Sequence, residues 1–132
     1  MTSVFDLTKI RTRLATSLEE ATGLHMVPHD VDRPNPPEVS ILAGSPWVQA
    51  SEMPTYGQPW DVYLQLVVTV PRGKQSEIIE GLEMAASLIL SALVYVGEWT
   101  VDSVSQPYTL AGETYQLPAV TVNIHGPIRT KE

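Results

Sequence analysis

The chain has 132 residues, 43% hydrophobic and 17% charged, enough for one ordinary domain and well away from the composition of disordered segments. It contains no cysteine, which excludes disulfides, thiol catalysis, iron–sulfur clusters and every cysteine-based zinc site, and fits a reducing compartment. Eight basic against fifteen acidic residues leave a net charge of −7, so a phosphate backbone is repelled at long range and sequence-specific nucleic-acid binding is not expected.

Val4, Leu7, Ile10, Leu14, Leu18 and Ala21 recur at spacings of three and four, which lays one apolar stripe along a helix from about Ser3 to Thr22. Ser3 with Asp6 resembles a capping box, and Gly23 is a natural stop. Lys9, Arg11 and Arg13 interrupt the stretch where a signal peptide carries its apolar core, so export by that route is not expected. Leu24 to Val27 reads as a short strand ended by Pro28. Pro34, Pro36 and Pro37 then make an extended connector. Glu38 to Ala43 alternates as a strand and is closed by Gly44.

Ser45 to Pro59 holds three prolines and has neither a helical nor a strand period, so it is expected to be a long loop, ordered either over the domain's own sheet or on a neighbouring chain. Trp60 to Val70 is the longest strand. Trp60, Val62, Leu64, Leu66, Val68 and Val70 form a core face, and Asp61, Tyr63, Gln65, Val67 and Thr69 a mixed one, either wet or covered by a polar partner. After a turn at Pro71 and Gly73, a second helix opens at Ser76 and runs to Gly97. Ile78, Ile79, Leu82, Ala85, Ala86, Ile89, Ala92 and Leu93 cover more than half of its circumference, as in a helix packed on two sides. Its uncharged run, Met84 to Val96, is short of the ~20 residues that span a bilayer, so a soluble protein is expected. Trp99 to Ser105 and Tyr115 to His125 are the last strands, joined by a hairpin loop over Gln106 to Thr114. The predicted architecture is one α+β domain over residues 1–132 with a short polar tail from about 126. Its order is α-β-β-β-α-β-β, a mostly antiparallel mixed sheet of about five strands with two helices packed on it.

No group of residues reads as a chemical site. His25 and His29 are four apart, yet Pro28 between them prevents the helix that would bring both onto one metal. Arg72-Gly73-Lys74-Gln75-Ser76 sits between a strand and a helix but lacks the upstream glycine of a phosphate loop and carries Gln75 where Ser or Thr is needed. Ser45, the serine that directly follows a glycine, precedes Pro46 and forms no nucleophile elbow. Glu77, Glu80 and Glu83 supply helix-surface charge. No catalytic, cofactor-binding or metal-binding residue is therefore expected, and the chain does not read as an enzyme.

The opening amphipathic helix ending at Gly23, the HDVDRPNPPEVSI connector and strand, the aromatic stretch up to Pro59, the WDVYLQLVVTV strand, the apolar second helix and the closing TYQLPAVTVNI strand together resemble the tail terminator proteins of long-tailed (siphovirus) bacteriophages, the lambda-type family. The resemblance covers nearly the whole chain and rests on order and texture. It implies a virion protein at the neck end of the tail, made in the host bacterial cytoplasm. Such a protein forms a hexameric ring that caps the tail tube, stops its polymerisation and joins the tail to the head connector or stopper protein. The implied partners are further copies of itself, the tail tube protein and that connector. DNA only passes through the channel, and no cofactor and no membrane are involved. By position, the interface candidates are Trp47, Met53 and Tyr56 in the 45–59 stretch, Ile89 and Leu93 on the second helix, Tyr108 in the last hairpin and Arg129 in the tail. Two other readings stay open. One is another small neck or head–tail joining protein. The other is a small-molecule binding module or small enzyme with a pocket under the 45–59 loop, in which His25, His29 and Asp61 would converge.

Overall fold

The apolar periodicities of the sequence are resolved into two layers. The computed structural model describes residues 7–28, 36–55, 58–96, 98–112 and 115–128. Its elements are α1 (Leu7–Thr22), β1 (Met26–Val27), β2 (Glu38–Thr55), β3 (Gln58–Thr69), α2 (Gln75–Val96), β4 (Thr100–Val104), β5 (Tyr108–Ala111) and β6 (Gln116–Pro127). The protein is α+β, with two helices on a mixed sheet, and its elements follow the expected order.

On α1 the stripe delivers Leu14 and Leu18 to the interior, where Ala15 joins them, whereas Ala21 of the expected stripe is exposed. Ser3 and Asp6, the expected cap, lie outside the described residues. At the other end Gly23 takes φ +76° and its N–H donates to the Glu19 carbonyl at 2.9 Å. This left-handed closure is open to glycine at little steric cost. The Glu19 carboxylate then accepts the Met26 N–H at 3.0 Å, which ties the helix to the first strand.

The strands lie in the order β1-β2-β3-β6-β4, with β5 also on β6. β1 runs parallel to β2 and every other pair is antiparallel. Strand alternation puts Val39 and Ile41 of β2, Val62, Leu64, Leu66 and Val68 of β3, and Val120, Val122 and Ile124 of β6 on one face. Against them sit α1 and the Leu82, Ala85, Ile89, Ala92 and Leu93 face of α2, in one continuous core. Full burial of each large aliphatic side chain here contributes about 1.5–3 kcal/mol.

Four expectations need correction. The stretch from 45 to 59 is not a loop: β2 continues through Gly44 to Thr55 and β3 begins at Gln58, so most of it is a long hairpin. Pairing shifts register between Ala43 and Val48 and again between Ala50 and Thr55. These irregularities absorb the prolines and hide the period-two signal. Gly44 does not end the strand; it admits it, because a Cβ there would lie 2.8 Å from the Tyr63 Cβ. The 106–114 loop likewise contains β5, whose Tyr108 to Ala111 pair with Ala119 to Gln116. Finally, the uncharged run understates α2. By length and composition the 21 residues Gln75–Tyr95, which contain an 18-residue window of mean hydropathy 1.7, are long and apolar enough to cross a membrane, although one side of the helix is seated on the sheet.

Candidate assembly surface

Successive residues of a helix turn by about 100°, so the inward set of α2 leaves a second stripe. Met84, Leu88, Ser91 and Tyr95 recur at i, i+4, i+7 and i+11, with Val94 beside them. Tyr95 is 88% exposed, Val94 78%, Met84 67% and Leu88 38%. A run of large apolar side chains left in water on one helix is the kind of patch that marks an interaction surface.

Where the N-terminal half of this stripe meets the end of the sheet, the surface folds inward. Leu24, Val70, Pro71, Gly81, Met84 and Leu88 wall an apolar groove of about 250 Å³, in which Glu38 and Thr69 are the polar side chains. A second groove, of about 190 Å³, lies beside α1 and is lined by Ile10, Arg13, Leu14, Ser17, Glu98, Trp99 and Pro127. Neither takes a residue from 45–59, so neither is the pocket imagined under that stretch.

At the other end of the sheet the β2–β3 hairpin carries two half-exposed tryptophans, Trp47 and Trp60. The last register position shared by β3 and β6 is Asp61 with Pro127, followed by the Ile128 N–H donating to the Trp60 carbonyl at 2.9 Å. Beyond that, among the described residues, the hairpin has only its own two strands.

Much of the sheet face away from the helices is polar and stitched across its strands, beside the buried Val67 and Ala119. The His125 Nδ1–H donates to the Asp102 carboxylate at 2.8 Å, and the imidazole stacks on Tyr63 with ring centres 5.0 Å apart. A carboxylate can only accept, so the hydrogen bond places the neutral ring's proton on Nδ1. Asn123 donates to the Ser103 hydroxyl at 3.0 Å, and the Tyr108 and Thr121 hydroxyls lie 2.7 Å apart. These groups satisfy one another on a pleated surface, and His125 and Asp102 line neither groove.

The expected interface residues divide. Trp47 is exposed on β2, and Tyr108 is 37% exposed on β5. Ile89 and Leu93 are corrected: at 0% and 3% exposure they belong to the subunit's own core. The outward stripe of the same helix runs through Met84, Leu88, Ser91 and Tyr95, with Val94 also exposed, and its i, i+4, i+7, i+11 spacing was legible as a second face. Met53 lies in the β2 backbone with its side chain outside the description, and Tyr56 and Arg129 are outside the described residues. His25 sits beside Glu19, Nδ1 to Oε1 3.5 Å, at the start of β1. Asp61 is at the opposite end of β3 and His29 is outside the described residues, so His25 and Asp61 share no cleft. Among the described residues no three His, Asp or Glu side chains are grouped to hold a metal ion.

Fold and surface together define a class: a two-layer α+β subunit whose helical layer carries an apolar stripe beyond what its own core uses. Comparison with known proteins finds no family model that matches the chain and no curated protein that matches it.

Proposed function

We propose that the chain is a structural, self-assembling subunit of a phage virion, a tail-terminator-like protein that forms a hexameric ring at the neck end of the tail. In this role it stops growth of the tail tube, meets the head connector or stopper protein and lets DNA through its channel. The observation that carries the reading is the outward apolar stripe of α2, Met84, Leu88, Val94 and Tyr95, because a core fully supplied by the inward stripe gives these side chains no intramolecular purpose. The net charge of −7 suits a wall past which a polyanion slides rather than binds.

Native mass spectrometry and negative-stain imaging of the purified chain, alone and with tail tube protein, test the reading. Rings that cap tubes and end their elongation support it. A chain that stays monomeric in both conditions, or that floats with neutral lipid vesicles through α2, overturns it.

A further inference from the structure

We infer that two copies of the chain pair α2 against α2, antiparallel, about a two-fold axis that passes between Ser87 and Leu88. The inference rests on the self-assembly part of the proposed function and names the contact that the outward stripe makes. In an antiparallel pair each residue faces the one lying equally far beyond the axis on the second copy. About an axis between Ser87 and Leu88, Leu88 faces Ser87 of the second copy and Met84 faces Ser91. Val94, on the edge of the stripe, comes level with Gly81. Each large exposed side chain thus stands over a small one. Such self-complementarity is what a two-fold contact demands of a single patch, and a patch shaped for an unrelated partner has no need of it. At either end Tyr95 comes level with Glu80, a phenol O–H that needs a partner when covered and a carboxylate that accepts it. From Glu80 to Tyr95 the stripe runs about 22 Å at ~1.5 Å per residue.

Charge selects the same orientation. The two helices run in opposite directions: Ile10 and Arg13 near the start of α1 lie beside Trp99, just past the end of α2, and Leu24, just past the end of α1, shares a groove with Pro71 and Gly81 at the start of α2. The helical layer is therefore polar from end to end. Exposed Lys9 and Arg13 mark one end, with Glu98 beside them. Exposed Glu19, Glu20, Glu77, Glu80 and Glu83 mark the other, with Arg72 and Lys74 in the preceding turn. α2 itself contains three glutamates and no Lys or Arg. Antiparallel pairing lays the basic end of each copy against the acidic end of the other, twice per pair, whereas parallel pairing stacks acidic end on acidic end. Because both copies use the same patch, the contact closes on a pair, and a ring draws its head-to-tail contact from another surface.

Charge exchange and cross-linking test the pairing. Lys9→Glu with Arg13→Glu reverses one end of the layer, and Glu80→Lys with Glu83→Lys the other, all at exposed positions. Thermal melts at low concentration verify that both double variants fold. Sedimentation velocity should show dimers as the first associated species of the wild type, and dimerisation weakened about tenfold or more in each double variant, since both ends of the pair then repel. An equimolar mixture should recover one-to-one heterodimers by native mass, because the exchanged charges are complementary at both ends. The chain has no cysteine, so introduced thiols report without background. Oxidation of Met84→Cys mixed with Ser91→Cys should give a covalent dimer of one of each, and Ser91→Cys alone should give none; a parallel pair would link Ser91→Cys to itself. A mixture that associates no better than either charge variant, or a self-linked Ser91→Cys, overturns the pairing. Rings that form from both charge variants as they do from wild type overturn it while leaving the ring reading intact. A wild type that is monomeric at all concentrations, or that binds neutral vesicles instead, overturns both.

Discussion

Adjacent turns of α2 make opposite predictions about folding. Ile89 is fully buried in the core and Tyr95 is 88% exposed. Ile89→Ala removes three carbons, about 2.4 kcal/mol at ~0.8 kcal/mol per buried methylene. The cavity left behind adds about 1–2 kcal/mol at ~24 cal/mol per Å³ of unrelaxed space, and the better helix propensity of alanine returns about 0.4 kcal/mol. The expected net loss is about 3–4 kcal/mol, which for a domain of this size lowers Tm by about 10–20 °C. Tyr95→Gln should stay within about 0.5 kcal/mol, because the side chain has little to lose in the isolated subunit. Denaturant melts should be run at a concentration low enough that association does not add to stability, followed by sedimentation at high concentration. Tyr95→Gln is expected to weaken association there, and Ile89→Ala to leave the association of the folded fraction close to wild type. A loss below about 1 kcal/mol for Ile89→Ala, or an equal loss for Tyr95→Gln, would refute the assignment of inward and outward faces.

Three further outcomes are expected. Gly44→Ala forces a Cβ to within 2.8 Å of the Tyr63 side chain and 2.9 Å of its backbone, which should cost about 1–3 kcal/mol in a denaturant titration through displacement of β2 from β3. Gly23→Ala, at φ +76° with open space around it, should lose about 1–2 kcal/mol from backbone conformation alone, whereas Gly23→Asn should lose less. Asp102→Ala should release His125 from its Nδ1–H tautomer, seen as a change in the imidazole ¹H–¹⁵N correlation pattern, while stability changes by less than about 1 kcal/mol because the pair is partly exposed.

The layers of this fold were legible wherever burial has a period. The stripe of α1, the alternation of β3 and β6 and the inward set of α2 were readable because one face of each meets a continuous core. The hairpin from 45 to 55 was not, since Gly44, Pro46 and Pro54 signal loop locally while strand pairing with β3 and two register shifts override them. β5 was missed because four residues between Pro107 and Gly112 are too short for a period; what makes them a strand is the ladder offered by β6. For the surface, Trp47 was readable as an apolar side chain in a polar, proline-rich stretch. Ile89 and Leu93 were misplaced because apolar residues on most of a helix do not say which side the sheet takes. Helical angle resolves that only once one buried residue is known.

β6 has a consequence for the timing of synthesis. It pairs with β3 on one side and with β4 and β5 on the other, so the strand at the centre of the sheet is the last strand described along the chain. β3 is translated roughly fifty residues earlier, which at ~5–20 residues per second leaves its inner edge without a neighbour for several seconds. During that interval the β2–β3 hairpin and α2 exist as sequence but have no completed sheet to rest on. A nascent chain therefore acquires its rigid core only when β6 is laid in.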